Sequence, residues 1–192
     1  MYNLERMSAL RRRVSSILLC GLVGCAVPEA GVRPPRELLP GAPLFQRPGV
    51  WTDDQGASVT LSRWSGSTVV LGAFYASCGK TCPLTIEKLR QVDAAYRAAG
   101  RAAEFVLVTI DPGSDSPEVL RRYKEEHRLP ASWHLLRGTP AQTEEVTDLL
   151  DIHVVDLGPH VVHGSRIMVF DPAGATARSF RCCDFDPAWT VQ

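Results

Sequence analysis

The chain has 192 residues, of which 45% are hydrophobic and 22% are charged, and its 21 basic side chains balance its 21 acidic ones. This length and hydrophobic content suffice for one domain with a real core and exclude an intrinsically disordered chain. The zero net charge lacks the basic excess that nucleic-acid binders carry, so we expect no nucleic-acid partner. Six cysteines are too few for a disulfide-dense scaffold.

The first 24 residues have the layout of an export signal. Basic residues 11–13 precede an apolar stretch, residues 14–24, that is too short to span a bilayer. The stretch ends Leu22-Val23-Gly24-Cys25, which is similar to the bacterial lipobox, where the cysteine sulfur receives diacylglycerol. We therefore expect a lipoprotein signal peptide over residues 1–24 and a membrane-anchored protein, lipidated at Cys25, that faces the periplasm or extracytoplasmic space. An ordinary signal peptide cleaved nearby, for instance after Ala30, is the alternative.

Three further segments follow the signal. Residues 25–48 carry six prolines and predict an extended tether. Residues 49–181 are expected to form the folded domain. Residues 182–192 are expected to be a tail without a role, although its adjacent Cys182 and Cys183 leave open a second thiol pair or a docking handle.

The elements of the domain follow from hydrophobic periodicity and end signals. A buried strand over residues 69–75, a helix over 84–99 and a second buried strand over 105–110 predict a right-handed parallel crossover. Ser116-Pro117 and Thr139-Pro140 have the pattern of helix starts, predicting helices to about residues 126 and 150. An antiparallel hairpin is expected from strands at 166–170 and 175–180. This order predicts a thioredoxin-like α/β fold, with a central mixed sheet flanked by helices and a C-terminal β-hairpin.

Two cysteines lie between the first buried strand and the first helix. With Pro83 expected at the first helical position, unpaired amides, the helix dipole and Lys80 would stabilise a thiolate at Cys82. Thiol–disulfide oxidoreductases typically separate their cysteines by two residues, whereas the three between Cys78 and Cys82 suit two thiolates around one soft metal ion. Soft thiolates select copper(I), and an added imidazole makes a site acceptable to both copper oxidation states. A plain disulfide that locks the loop is the structural alternative.

The third ligand should come from elsewhere in the chain. His163 precedes the strand at residues 166–170, whose start faces the cysteine loop in a thioredoxin-like fold, and it is favoured over His160. Asp111 and Asp115 are expected to shape the loop after the second buried strand, with orientation of a ligand as the alternative. The remaining histidines fall on or next to predicted helices and are expected at the surface or its boundary: His127, His134 and His153.

These motifs together resemble the SCO/SenC family of copper-binding proteins that assist assembly of cytochrome c oxidase. The matching segments are the cysteine loop 74–83, the Asp-Pro segment 109–117, the segment 133–138, and the strand end 169–174 that follows the late histidine. The resemblance implies that Cys78 and Cys82 are thiolate ligands and His163 the imidazole ligand of one copper ion, Cu(I) or Cu(II). It also implies a thioredoxin-like fold facing the exterior of the cytoplasmic membrane. The chain departs from the family pattern at Gly79-Lys80, where an acidic or hydroxyl residue is usual, and at Cys182-Cys183.

Three hypotheses about function follow. The leading one is a non-enzymatic copper chaperone that receives copper from an upstream donor and delivers it to an apo copper-site subunit of a respiratory cytochrome c oxidase. The alternative is a thiol–disulfide oxidoreductase that uses the same two cysteines, with a thiol reductant as partner, to keep the acceptor's cysteines reduced. A peroxiredoxin-type peroxidase is disfavoured, because its threonine three residues before the reactive cysteine is replaced by Tyr75 or Gly79.

Overall fold

The structure is a computed structural model that describes residues 43–79, 81–152, 154–156, 161–163 and 166–192. At residues 81, 154–156 and 161–163 it describes the backbone alone. The predicted signal peptide, Cys25 and most of the tether therefore lie outside the described residues. Within the described part of the chain, no helix is long and apolar enough to cross a membrane.

The described residues form nine strands and three α-helices. The strands are β1 (Trp51–Asp53), β2 (Ser58–Val59), β3 (Val69–Phe74), β4 (Glu104–Thr109), β5 (Trp133–Arg137), β6 (Val154–Asp156), β7 (Val161–His163), β8 (Arg166–Phe170) and β9 (Thr176–Arg181). The helices are α1 (Thr81–Ala98), α2 (Pro117–Glu126) and α3 (Pro140–Leu149).

Seven of these strands make one mixed sheet in the order β2-β1-β5-β4-β3-β8-β9. The central strands β5, β4 and β3 are parallel, and the remaining pairs are antiparallel. A crossover through α1 brings β4 parallel to and beside β3, as the two apolar runs predict. Strands β6 and β7 form a separate two-stranded sheet. The architecture confirms the predicted thioredoxin-like α/β fold.

Strand β3 is buried along its whole length because both faces of the sheet are covered. Val70 and Phe74 point to the face covered by α1 and α2, where Leu89 of α1 is fully buried. Val69 and Leu71 point to the opposite face, which α3 covers. Since side chains alternate along a strand, a continuous apolar run is what such a two-sided position requires.

The predicted starts of the second and third helices are confirmed. The Ser116 hydroxyl accepts from the Val119 amide at 3.4 Å, and Pro117 is the first residue of α2. Thr139 forms a capping box with Gln142 at the start of α3. The predicted hairpin is confirmed as β8 and β9.

Strand β5 was not predicted from the sequence, and the predicted position of His134 on or next to a helix is wrong. His134 is the second residue of β5, between the fully buried Trp133 and Leu135, and not on or next to a helix. Its Nε2 lies 2.8 Å from Oε2 of Glu104 on the neighbouring strand, and its ring packs against Trp64. The strand is only five residues long, and its polar residues, His134 and Arg137, interrupt the apolar ones, so it lacks a clean period in the sequence.

The folded unit begins earlier than residue 49, the boundary that the prolines suggest. Leu44 and Phe45 are buried in the core on the α3 face of the sheet. The Leu44 amide donates to the Gly174 carbonyl oxygen at 2.7 Å. Gly174 has φ +85° in the β8–β9 turn, and a Cβ there would lie 2.8 Å from Cδ2 of Phe45. The hairpin turn and this early segment therefore hold each other in place.

The C-terminal residues pack along α1 and do not form a loose tail. Phe185 is buried, and its carbonyl oxygen accepts from Nζ of Lys88 at 3.1 Å. Further along the helix, the Tyr96 hydroxyl donates to the Thr190 carbonyl oxygen at 2.7 Å. These contacts fix the segment after β9 against the full length of α1.

A buried carboxylate, Asp54, predicts acid sensitivity of the fold. Asp54 accepts hydrogen bonds from Gln55 at 2.8 Å, from Lys124 at 3.2 Å and from the Leu135 amide at 3.3 Å. Burial raises its pKa, but the hydrogen bond from Gln55 and the charge of Lys124 outweigh burial and leave the pKa below the ordinary 3.8. The folded state therefore holds the ionised form more tightly than the unfolded chain does, and this stability is lost as pH falls through the folded pKa.

We expect Asp54→Asn to lower the free energy of unfolding by about 2 kcal/mol at neutral pH, since the Lys124 ammonium loses its charged partner. The deficit should shrink as pH falls below 3.8, because the wild-type carboxyl then becomes protonated and neutral as well. Urea denaturation over this pH range measures both effects. Asp148→Asn, at an exposed carboxylate of α3, is the matched control and should change little. A deficit that is constant with pH would contradict the ionic origin.

Candidate metal centre

The cysteine loop connects the end of β3 at Phe74 to the start of α1 at Thr81. The helix thus begins two residues before Pro83, which is its third residue and not, as predicted, its first. Proline is tolerated there, because the first four amides of a helix have no partner within the helix. As a consequence, Cys82 belongs to the first turn of α1, whereas Cys78 lies in the loop before it.

The two cysteines meet across the start of the helix. The Cys82 amide donates to Sγ of Cys78 at 3.2 Å. Both residues are thiols in this structure, with Cys78 half-buried and Cys82 buried at 1% exposure. The loop therefore gathers two sulfurs at the helix N-terminus without a disulfide between them.

The predicted stabilisation of a thiolate at Cys82 is wrong. Burial raises the pKa of the Cys82 thiol, and its hydrogen bond with Cys78 raises it further, while a backbone hydrogen bond from Tyr75 acts in the opposite direction. The helix amide points instead at Cys78, the more exposed sulfur. The position of Lys80 lies outside the described residues. Cys82 is thus a protonated, buried thiol until a metal ion or a reaction removes its proton.

Two tyrosines adjoin the sulfurs, and neither was expected to act at the site from the sequence. Burial raises the pKa of Tyr75 to about 12, with a hydrogen bond to Cys78 adding to the effect. Tyr123, from α2, is buried, and its hydroxyl has no hydrogen-bond partner among the residues described. Burial raises the pKa of Tyr123, and the nearby Cys82 adds to the increase. In the sequence, Tyr123 has the spacing of an ordinary core residue of α2, so no signal separates it from the core.

Asp115 ties the cysteine loop to the end of β4. Its Oδ2 accepts from the Ala76 amide at 3.0 Å and from the hydroxyl of Thr109. Thr109 Oγ1 in turn accepts from the Asp111 amide at 3.0 Å. Burial raises the pKa of Asp115, while the hydrogen bonds from Thr109 and Ala76 act against burial. This arrangement agrees with the expected loop-shaping role, and it places the effect on the backbone two residues before Cys78.

His163 is the last residue of β7 and pairs with Val154 of β6. It therefore belongs to a short hairpin of its own, and not to the strand that begins at Arg166. Only its backbone is described, and His160 lies outside the described residues, as does His153. Within the described side chains, no three from His, Cys, Asp and Glu gather closely enough to hold a metal ion. The structure brings Cys78 and Cys82 together, and the role of the His163 imidazole stays a prediction.

The second cysteine pair lies against the same end of α1. Cys182 and Cys183 form a disulfide between adjacent residues, directly after β9. Sγ of Cys182 lies 3.5 Å from Oγ1 of Thr85, and Sγ of Cys183 lies 3.6 Å from the carbonyl oxygen of Leu84. Both contacts are within three residues of Cys82. The sequence shows the pair but gives no sign of this position, because the packing of the tail along α1 is a long-range contact.

Comparison with known proteins agrees with the fold and the motifs. The sequence model of the SCO1/SenC family matches residues 40–188. No curated protein matches the chain. Among solved structures, the copper-bound ScoI of Arabidopsis thaliana has 18% identity and a TM-score of 0.67, with 76% of this chain and 92% of that chain covered.

Two bacterial structures are similar to the same extent. The copper-bound ScoI of Bradyrhizobium japonicum has 19% identity and a TM-score of 0.62 over 76% of this chain and 94% of that one. A SCO1/SenC family lipoprotein of Bacillus anthracis has 19% identity and a TM-score of 0.66 over 74% of this chain and 87% of that one. At these identities the structures establish the fold, and the family match extends over most of the sequence, including the cysteine loop. The chain belongs to the SCO1/SenC family.

Proposed function

We propose that the protein is a copper chaperone that binds one copper ion through Cys78, Cys82 and His163. It delivers the ion to an apo copper site of a respiratory cytochrome c oxidase during assembly. The observation that carries the proposal is the meeting of two thiols across the start of α1, with Sγ of Cys78 3.2 Å from the Cys82 amide. Two thiolates and an imidazole form a donor set suited to copper in both oxidation states. Copper-bound structures of relatives with this fold support the assignment.

The burial of the site favours a thiolate-bound ion over a water-exposed one. Cys82 is inaccessible, and Phe74 and Tyr123 belong to the apolar cluster around it. Copper binding would displace the Cys82 proton, so the raised pKa of this thiol keeps Cys82 protonated in the apo protein and couples loading to proton release. Asp115 holds the Ala76 backbone and so limits the positions that Cys78 can take. These residues do what a carrier needs: they hold two soft ligands close together and shield them from water.

The experiment is a copper titration of the full chain with Cys78 and Cys82 reduced, in which Cys20→Ser and Cys25→Ser remove the thiols that precede the domain, and Cys182→Ser with Cys183→Ser those that follow it. We expect one copper ion per chain, and a thiolate-to-Cu(II) absorption band that disappears in His163→Ala because the imidazole ligand is lost. His160→Ala tests the alternative ligand, and His134→Ala, whose ring is bound to Glu104, is the control that should bind as wild type. Equal copper binding by wild type and His163→Ala would contradict the proposed ligand set.

A thiol–disulfide oxidoreductase is the second candidate, and the unequal burial of the two cysteines favours it. A half-exposed Cys78 can attack or be attacked, while the buried Cys82 can resolve the mixed disulfide. An apo copper-site domain of an oxidase, supplied with its two cysteines either reduced or disulfide-bonded, distinguishes the roles. The copper-loaded chaperone transfers its ion to the reduced domain, whereas a reductase without copper converts the oxidised domain to thiols.

The proposed location is the outer face of a membrane, with a lipid anchor at Cys25. The lipobox-like sequence at residues 22–25 supports it, as does the description of the Bacillus anthracis relative as a lipoprotein. Labelled palmitate fed to cells should appear on the wild-type protein and be absent from Cys25→Ser.

A further inference from the structure

The Cys182–Cys183 disulfide is unsuited to stabilising the fold. A disulfide stabilises mainly by closing a loop of intervening residues in the unfolded chain, and adjacent residues enclose none. Other contacts already hold this segment, because Phe185 is buried and Thr190 accepts from Tyr96. The chemistry of the two sulfurs is therefore the more informative property of the pair.

The pair lies beside the turn of α1 that carries Cys82. Thr85, which contacts Sγ of Cys182, is one helical turn after Cys82 and on the same side of the helix. Cys78 and Cys182 both pack against the buried cluster that contains Cys82. The second pair thus packs against the same turn of α1 and the same buried cluster as the first pair.

The four sulfurs differ in their accessibility to an attacking thiol. Cys82 is buried, so Cys78 is the sulfur of the first pair that another thiol can reach. Cys182 and Cys183 are both half-buried, and the contact of Cys183 with Leu84 is at the surface. Accessible disulfides are the labile ones, and an external thiol can reach Cys183 without opening the core.

We propose that Cys182 and Cys183 are a second redox pair that reduces a Cys78–Cys82 disulfide by intramolecular thiol–disulfide exchange. The Cys182 thiolate attacks Sγ of Cys78, which forms the Cys78–Cys182 bond and breaks Cys78–Cys82; the electron pair and a proton go to Cys82. The Cys183 thiolate then attacks Sγ of Cys182, which forms Cys182–Cys183 and releases Cys78 as a thiol after it takes up a proton. Two electrons and two protons pass from the second pair to the first.

The exchange leaves Cys182–Cys183 oxidised and Cys78 and Cys82 as thiols. An external dithiol, attacking at Cys183, would return the second pair to the reduced form and be oxidised itself. The exchange keeps the first pair as thiols whether or not those thiols bind copper. The test below therefore contains no copper, and its failure would leave the proposed copper function untouched.

The test begins with the full chain carrying Cys20→Ser and Cys25→Ser, fully reduced and then given one equivalent of oxidised glutathione without oxygen. After acid quenching and alkylation, trypsin separates the pairs, because it cleaves after Lys80, between Cys78 and Cys82, and after Arg181, before Cys182. We expect the disulfide on Cys182–Cys183 in this background. Adding Cys182→Ser and Cys183→Ser should raise the fraction of chains with a Cys78–Cys82 disulfide several-fold. Equal fractions in the two proteins would overturn the proposal.

Direct transfer is tested by trapping the mixed disulfide. With Cys82→Ser and Cys183→Ser, only Cys78 and Cys182 remain, and we expect the peptide of residues 64–80 to be disulfide-linked to that of residues 182–192. The same chain unfolded in guanidinium gives the background level, and circular dichroism confirms that each variant is folded. A link no more abundant in the folded chain than in the unfolded one would show that the pairs do not exchange within the molecule.

Discussion

Cys78→Ser is expected to lower the affinity of the reduced protein for Cu(I) by more than about 100-fold. Loss of a residue that only orients a metal ligand lowers affinity by at most about this factor, and loss of the ligand itself should cost more. A hydroxyl is a hard, protonated oxygen at neutral pH, whereas Cu(I) prefers soft thiolate ligands. The serine keeps nearly the same shape and can still accept from the Cys82 amide, so the helix start should survive. Competition with a chromophoric Cu(I) chelator measures the affinity.

The matched control is Cys182→Ser with Cys183→Ser, which removes two thiols outside the proposed copper site. This protein should bind one Cu(I) ion with wild-type affinity, and Cys82→Ser should behave as Cys78→Ser does. If the control lost copper while Cys78→Ser retained it, the ion would be held by the second pair and the proposed centre would be wrong.

Asp115→Ala is expected to lower the free energy of unfolding by about 2–4 kcal/mol. The carboxylate is buried and accepts from the Ala76 amide and the Thr109 hydroxyl, so alanine leaves a polar group of the cysteine loop and a buried hydroxyl without their acceptor. Asp115→Asn keeps one oxygen acceptor and should recover about half of this loss. Urea denaturation measures the stability.

Copper affinity separates a positioning role of Asp115 from a merely structural one. At a temperature where Asp115→Asn is fully folded, its Cu(I) affinity should still be about 10-fold below wild type, because the Ala76 amide no longer fixes the approach of Cys78 as firmly. Asp111→Ala is the control in the same loop, since Asp111 makes an exposed hydrogen bond to the Ser114 amide at 3.2 Å. If Asp115→Asn bound Cu(I) with wild-type affinity, the role of Asp115 would be to stabilise the fold and not to position Cys78.

The fold could be predicted where a local pattern and its packing agree. The apolar runs that became β3 and β4 are buried on both faces, and the caps at Ser116 and Thr139 act within their own first turns. Strand β5 was not predicted, because pairing with β1 and β4 holds it in the sheet and its own sequence has no strand period. The packing of Leu44 and of the C-terminal residues was not predicted for the same reason. The proline or cysteine content of a segment does not indicate which distant residues it contacts.

The two cysteines of the candidate site could be predicted from the sequence, but their hydrogen bonds and burial could not. The spacing of Cys78 and Cys82 identifies two sulfurs near a helix start, and the structure confirms that they meet there. The sequence does not show that the helix starts at Thr81. With this earlier start, the helix amide donates to the sulfur of Cys78 and not to that of Cys82. Burial of Cys82 depends on Tyr123 and other core residues far along the chain. Burial raises the pKa of the Cys82 thiol, whereas the sequence predicted a lowered one.

The hydrogen bond between Leu44 and Gly174 fixes the end of the sheet at which the described residues begin. Strand β3 runs from Val69 to Phe74, and Phe170 of β8 pairs with Val69, so the turn that holds Leu44 lies at the opposite end of the sheet from Cys78. Six strand residues separate these ends by about 20 Å. A partner that contacts Cys78 at one end of the sheet can therefore dock without touching the Leu44 segment at the other end.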